Sequence, residues 1–164
     1  MNSRAEFIRI YEQFHPKVFR LCKGFFNGNE DLAADYTQEI FIKIWEKKDS
    51  FKKDSNVGTW IYRISVNMCL MQIRKEAREK KKSYSTYFES VTETYDPEHE
   101  HRLKTMYECI HQLKEKDRLI ILMVLEKVPY SQITEVIGIS EESLRVTIHR
   151  IKKKLTSCAQ HGKL

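Results

Sequence analysis

Glycine and proline are scarce in this chain, with five of the first and three of the second among 164 residues. That scarcity argues against turn-rich β architectures, which need both residues at their corners. No apolar run reaches the length of a membrane span, so no transmembrane helix is expected. Cys22, Cys69, Cys109 and Cys158 stand far apart, with no C-x-x-C pair. No signal-peptide pattern is present either, and the two absences together lead us to expect a reduced, cytoplasmic setting with free thiols. A phosphate-binding glycine loop, a G-x-S-x-G elbow and an H-E-x-x-H helix are all missing, so neither an enzyme nor a cofactor is expected. Cys158 and His161 make one C-x-x-H pair. His99, His101 and Cys109 supply no second pair at finger-like spacing, and no metal site is expected.

What the chain does have is charge, unevenly spread. Its net charge is +6, and apolar residues make up 41%, enough for a core. Residues 1–62 carry ten cations and nine anions. Residues 63–82 carry seven cations against two anions, and 102–164 carry twelve against seven. Between them, 83–101 holds five acids and no lysine or arginine. Two basic patches around an acidic, apolar-poor segment point to a polyanionic partner more firmly than a uniform excess would.

Apolar periodicity is helical throughout, and no strand pattern or internal repeat competes with it. Residues from Phe7 to Phe25 recur at helix spacing, with Pro16 expected to kink that helix or to start a new one. Asn29 is a natural N-cap, and Glu30 and Asp31 suit the positive end of a helix dipole. Leu32, Tyr36, Ile40 and Ile44 then share one stripe, which Phe41 and Trp45 widen. After a polar loop, a third helix is expected from Thr59 to about Lys82, apolar at first and then cationic. Residues 83–101 show no sustained period and read as a linker. A stripe from Leu103 to Leu113 and the block LIILMVLEKV complete the approach to the last segment. The expected organisation is all-α: a helical domain over 1–82, a flexible acidic linker over 83–101 and a helix-turn-helix domain over 102–164.

That last domain ends in YSQITEVIGISEESLRVTIHRIKKKL. Ile133, Val136 and Ile137 face inward on a short helix, Gly138 can take the positive φ that ends it, and Ser140 can cap the next. In the following helix Leu144, Ile148, Ile151 and Leu155 point inward. Ser143, Arg145, Val146, Thr147, His149 and Arg150 are left on the open face, suited to base edges in a major groove, and Lys152, Lys153 and Lys154 suit phosphates. A plain helical hairpin with a solvated cationic end would show the same pattern. Trp60 and Tyr62 fit either a core or a stacking surface for unpaired bases.

Taken in order, these motifs resemble the extracytoplasmic-function (group IV) sigma factors of bacterial RNA polymerase, over nearly everything from Phe7 to Leu155. YEQFHPKVFRL is similar to the family's Y-x-x-Y-x-P opening, and DYTQEIFIKIWEK to its D-L-x-Q-E-x-F-x-x-x-W helix. TWIYRISVN is similar to W-L-Y-R-I-A-x-N, and the last segment to the region 4 helix-turn-helix. Val57, Thr134 and Thr147 depart from the Phe, Ala and Arg common there.

The resemblance implies a promoter-specificity subunit that binds core polymerase, at its β′ clamp helices and β flap, together with promoter DNA. It places Asp35, Gln38 and Glu39, beside Trp45, where the family docks on the clamp helices. Lys53, Ser55, Asn56, Tyr62, Arg63 and Asn67 fall where the family melts and reads the −10 element, with Arg74, Lys75 and Arg78 along the DNA backbone. Ser143, Arg145, Val146, Thr147, His149, Arg150, Lys152 and Lys153 fall on its −35 reader. An anti-sigma factor is a further implied partner. Two other readings remain: an autonomous helix-turn-helix regulator with an N-terminal dimerisation or sensing domain, and a protein-interaction module built around Trp45.

Overall fold

The computed structural model describes residues 4–52, 56–79 and 97–161, and among these every regular element is helical. The order is α1 (Arg4–Phe25), α2 (Glu30–Glu46), a 3-10 turn (Lys48–Ser50), α3 (Val57–Glu79), α4 (Pro97–His111), α5 (Glu115–Leu125), α6 (Tyr130–Ile137) and α7 (Glu141–His161).

Local chemistry accounts for most boundaries. Helix α1 continues through Pro16 rather than breaking there. Proline costs a helix one hydrogen bond, and here Phe14 and Val18, buried on either side, hold the turn in place. The helix ends where Asn27 and Gly28 adopt positive φ, with the Gly28 amide donating to the Lys23 carbonyl at 2.8 Å. Asn29 then caps α2 as expected, accepting from the Leu32 amide at 2.9 Å. Helix α3 starts two residues before the expected Thr59, because Asn56 accepts from the Gly58 amide at 2.8 Å and organises its first turn. Helix α4 begins at Pro97, inside the segment read as a linker. The rest of that segment, 83–96, lies outside the described residues.

Helices α1, α2 and α3 form one lobe and α4 to α7 the other, but their cores are continuous. Ile10, Phe14, Val18, Leu21 and Phe25 of α1 belong to the same buried cluster as Ile40 and Ile44 of α2, Ile61 and Val66 of α3, and Ile133 and Leu144 of the second lobe. Helix α5 lies between the lobes and is buried at seven consecutive residues, Asp117–Met123. The block LIILMVLEKV is therefore helix buried around its circumference as far as Met123, which explains its lack of amphipathic alternation, while Leu125 at the helix end is 53% exposed.

The cysteines correct one expectation. Cys22 and Cys69 are free and buried, but Cys109 and Cys158 form a disulfide that ties α4 to α7. Each falls on the inward face of an amphipathic helix, so packing brings together two residues separated by 49 in the chain. The Cys69 thiol, hydrogen-bonded to Cys22 and desolvated, has its pKa pushed well above the ordinary value. Closing a loop of that length is worth about 4 kcal/mol in the chain-entropy model. Cys158→Ser should lower the urea-unfolding free energy by about 2–4 kcal/mol. A dithiol reductant should have a similar effect on the wild type and little on the variant.

Candidate nucleic-acid interface

Three exposed faces carry the residues singled out by sequence. The first lies on α2, where Asp35, Gln38 and Glu39 are exposed along one side. Trp45 continues that side and is 39% exposed. Its ring is fixed by an edge contact with Phe7 at 4.8 Å between centroids and by the Lys48 ammonium at 4.3 Å. Ile42 shares the face at helical spacing and is 58% exposed, yet sequence reasoning passed over it. The available signal was its position, three residues after Glu39 and out of phase with the buried Ile40 and Ile44. Acidic groups flanking an exposed isoleucine and a half-exposed tryptophan make a surface for a partner carrying cations beside an apolar patch. Next to Glu39, Tyr36 is pushed up to about 12, chiefly by burial and secondarily by that carboxylate, so its phenol stays protonated at neutral pH.

The second face lies on α3. Arg63, Asn67, Arg74, Lys75 and Arg78 are exposed along it, and Asn56 is exposed at its start. Lys53 and Ser55 lie outside the described residues. Tyr62 differs from the rest of the group, because only 2% of it is exposed. It lies under the second lobe, next to Glu126 and the corner between α5 and α6, and burial pushes its phenol up to about 12. Its hydroxyl is buried with no hydrogen-bond partner. Arg63 is also engaged, donating to the Glu135 carbonyl of α6 at 3.1 Å. The stacking role expected of Tyr62 therefore needs a different arrangement of the lobes from this one. Trp60 is half-buried and packs on Phe51 at 5.2 Å, as a core residue would.

The third face belongs to α6 and α7. Gly138 sits in the left-handed region at φ 75° and its amide donates to the Thr134 carbonyl at 2.8 Å, closing α6. Ser140 then caps α7, accepting from the Ser143 amide at 3.2 Å. Leu144, Ile148 and Ile151 are buried and Leu155 half-buried. The outward face is left with Ser143, Arg145, Val146, His149, Arg150, Lys152 and Lys153, all exposed, while Thr147 is half-buried. Val146 is 66% exposed and offers an apolar spot of the kind that meets a thymine methyl. Two arginines are held ready. Arg145 pairs with Glu141 at 2.6 Å over the Tyr130 ring, and Arg150 reaches both carboxylate oxygens of the buried Asp117 at 3.3 Å. Arg150 thus fastens α7 to α5 and is less free than Arg145 to reach a base.

No group of three or more metal-capable side chains occurs among the described residues. Within the C-x-x-H pair, Cys158 is committed to its disulfide. Among the described residues, no helix is long and apolar enough to cross a membrane.

An all-helical chain with a capped helix-turn-helix and basic outward faces on two lobes belongs to the class of helical nucleic-acid-binding proteins. Comparison with known proteins narrows the class. Residues 10–79 match Sigma-70 region 2 and residues 103–155 match Sigma-70, region 4. The chain belongs to the sigma-70 family. Similar curated proteins include the ECF RNA polymerase sigma factor SigW of Bacillus subtilis, 28% identical over 94% of this chain and 89% of that protein. The ECF RNA polymerase sigma-E factor of Escherichia coli is 29% identical over 97% of this chain and 89% of its own. The sigma factor RpoE of Bartonella quintana, solved in complex with the anti-sigma factor NepR, shares the fold. Its TM-score is 0.76 at 21% identity, over 95% of this chain and 98% of that one.

Proposed function

We propose that this chain is a promoter-specificity subunit of bacterial RNA polymerase, acting in the cytoplasm and performing no chemistry of its own. The observation that carries this reading is the presence, in one chain with regions 2 and 4 in order, of an exposed acidic-apolar face on α2 and an exposed basic reading face on α7. Asp35, Gln38, Glu39, Ile42 and Trp45 would dock on core polymerase at the β′ clamp helices, with the β flap meeting region 4. The outward face of α7 would enter the −35 major groove, Arg145 and Val146 at bases and Lys152 and Lys153 at phosphates. The basic side of α3 would capture the opened −10 strand. An anti-sigma factor is a fitting further partner, since RpoE was solved with one. Run-off transcription with core polymerase tests the reading. Promoter-directed transcripts support it, whereas no complex with core and no initiation would end it and favour the autonomous regulator.

Arg145→Ala should relax base preference at one −35 position by about tenfold to a hundredfold. The measurement is initiation by the reconstituted holoenzyme from a promoter library randomised across that element. Core affinity should not change, because Arg145 lies on the outward face of α7 that is turned to DNA, away from the docking face of α2.

A further inference from the structure

The two arginines of the α7 face are held in different ways. Arg145 pairs with Glu141 one turn earlier on its own helix, and both side chains are more than half exposed. A surface pair of that kind is weak and gives way readily. Arg150 instead reaches another helix, its Nη2 donating to both carboxylate oxygens of Asp117 on α5. The Asp117 side chain is 11% exposed and that of Arg150 is 58% exposed, so one end of the pair is buried and the other stands in solvent. The neighbouring Arg118 cannot take over the role, because its guanidinium is committed to the carbonyls of Phe25, His111 and Leu113. Among the described residues, the Asp117 carboxylate accepts from no side chain but Arg150.

A buried carboxylate deprived of its cation is strongly unfavourable, so Arg150 is not free to turn away from Asp117 and follow a base. Whatever it contacts, it contacts from where it stands. A guanidinium carries five N–H donors in a rigid fork, enough to bind one carboxylate along one side and a second anion along another. Here one terminal nitrogen serves Asp117, and the Nε and Nη1 donors make no hydrogen bond among the described residues. Exposed cations lie close by in the chain, Lys152 and Lys153 on α7 and Lys116 beside Asp117 on α5. A fixed arginine in basic surroundings suits a backbone phosphate better than a base edge.

We propose that Asp117 is a positioning residue of the duplex reader: it fixes Arg150 as a clamp on one backbone phosphate, and through that clamp sets the register in which α7 enters the major groove. Asp117 itself touches no DNA. The two arginines thereby divide the work. Arg145, on a pair that yields, reads, while Arg150, anchored on α5, holds the helix in place. The gain is preorganisation, since a guanidinium placed before DNA arrives loses less side-chain freedom on binding. The inference rests on reading α7 as the −35 helix.

The test uses reconstituted holoenzyme and promoters recovered by the wild type from the randomised −35 library, with affinity measured over a range of salt. Asp117→Asn makes the protein more basic and by charge alone would tighten binding. The expected result is the reverse, a loss of about tenfold that is alike for every −35 sequence. Arg150→Gln should lose as much, and should lower the slope of log affinity against log salt by about one. In the Arg150→Gln background, Asp117→Asn should weaken binding no further. A merely structural role would not give that result, because disturbed packing of α5 would weaken binding with or without Arg150. Wild-type affinity in Asp117→Asn, or equal weakening in both backgrounds, would overturn the proposal, and a loss confined to one base pair would overturn the phosphate assignment. If Asp117→Asn does not fold, Arg150→Lys puts the question from the exposed side. One ammonium cannot serve carboxylate and phosphate together, so affinity should fall several-fold although the charge is kept. Undiminished affinity there would count against the clamp. A wild-type holoenzyme that selects no −35 sequence would instead remove the reading of α7, and the two failures are distinguishable.

Discussion

Glu39→Arg is expected to reduce affinity for core polymerase about a hundredfold, measured by titrating labelled core with the full chain at fixed salt. Glu39 is exposed on the α2 face, with Asp35 one turn before it, Gln38 beside it and Ile42 almost one turn after. Reversing its sign removes one attraction and adds a repulsion against the cationic partner that this face implies, and like charges across an interface are strongly penalised. The loss should be largest at low salt and should shrink as the Debye length falls. Helical content and the melting of the chain should be unchanged, because Glu39 forms no part of the core. A variant that binds core as well as wild type would remove α2 from the docking surface. A variant that unfolds would contradict the exposure seen here.

Arg118→Ala should be among the most destabilising single changes in the chain. The guanidinium is buried, lies 5.1 Å from the Phe25 ring centre, and donates to the carbonyls of Phe25, His111 and Leu113. Desolvation lowers its pKa, with nearby Glu115 opposing that shift. Alanine would leave three carbonyls short of their donor and open a void of side-chain size. The expected cost is about 3–5 kcal/mol in urea unfolding. Lysine keeps the charge, but a single ammonium cannot span three acceptors laid out for a planar fork, so Arg118→Lys should recover only part of the loss.

These two residues differ in how readable they are without coordinates. The docking role of Glu39 comes only from the family resemblance, but its outward position shows in the local spacing. So do the caps Asn29 and Ser140, the left-handed Gly138, and the inward positions Leu144, Ile148 and Ile151, because each depends on residues within a turn or two. Arg118 gives no such sign. Its three acceptors come from α1, α4 and the turn before α5, and nothing in DRLIIL announces them. The same holds for Tyr62, which carries an aromatic compatible with either a core or a stacking surface, and whose burial depends on Glu126 and Gln132 far along the chain. The Cys109–Cys158 pair likewise needs knowledge of which helix faces which. Pro97 is a different kind of miss. Proline at the first helical position followed by Glu98 and Glu100 is a legible start signal, and the acidic composition of 83–101 concealed it.

Helix α5 brings a thermodynamic consequence. Two domains joined by a linker ordinarily melt as independent units, each at its own temperature. Here one helix, buried around its circumference from Asp117 to Met123, supplies core to both lobes, so neither can lose its packing without exposing apolar surface on the other. While the lobes are together the chain should unfold as one cooperative unit with a single calorimetric transition, and parting them should divide that transition into two. Any partner that separates the lobes must therefore provide both the work of opening and a new cover for the side of α5 that opening exposes.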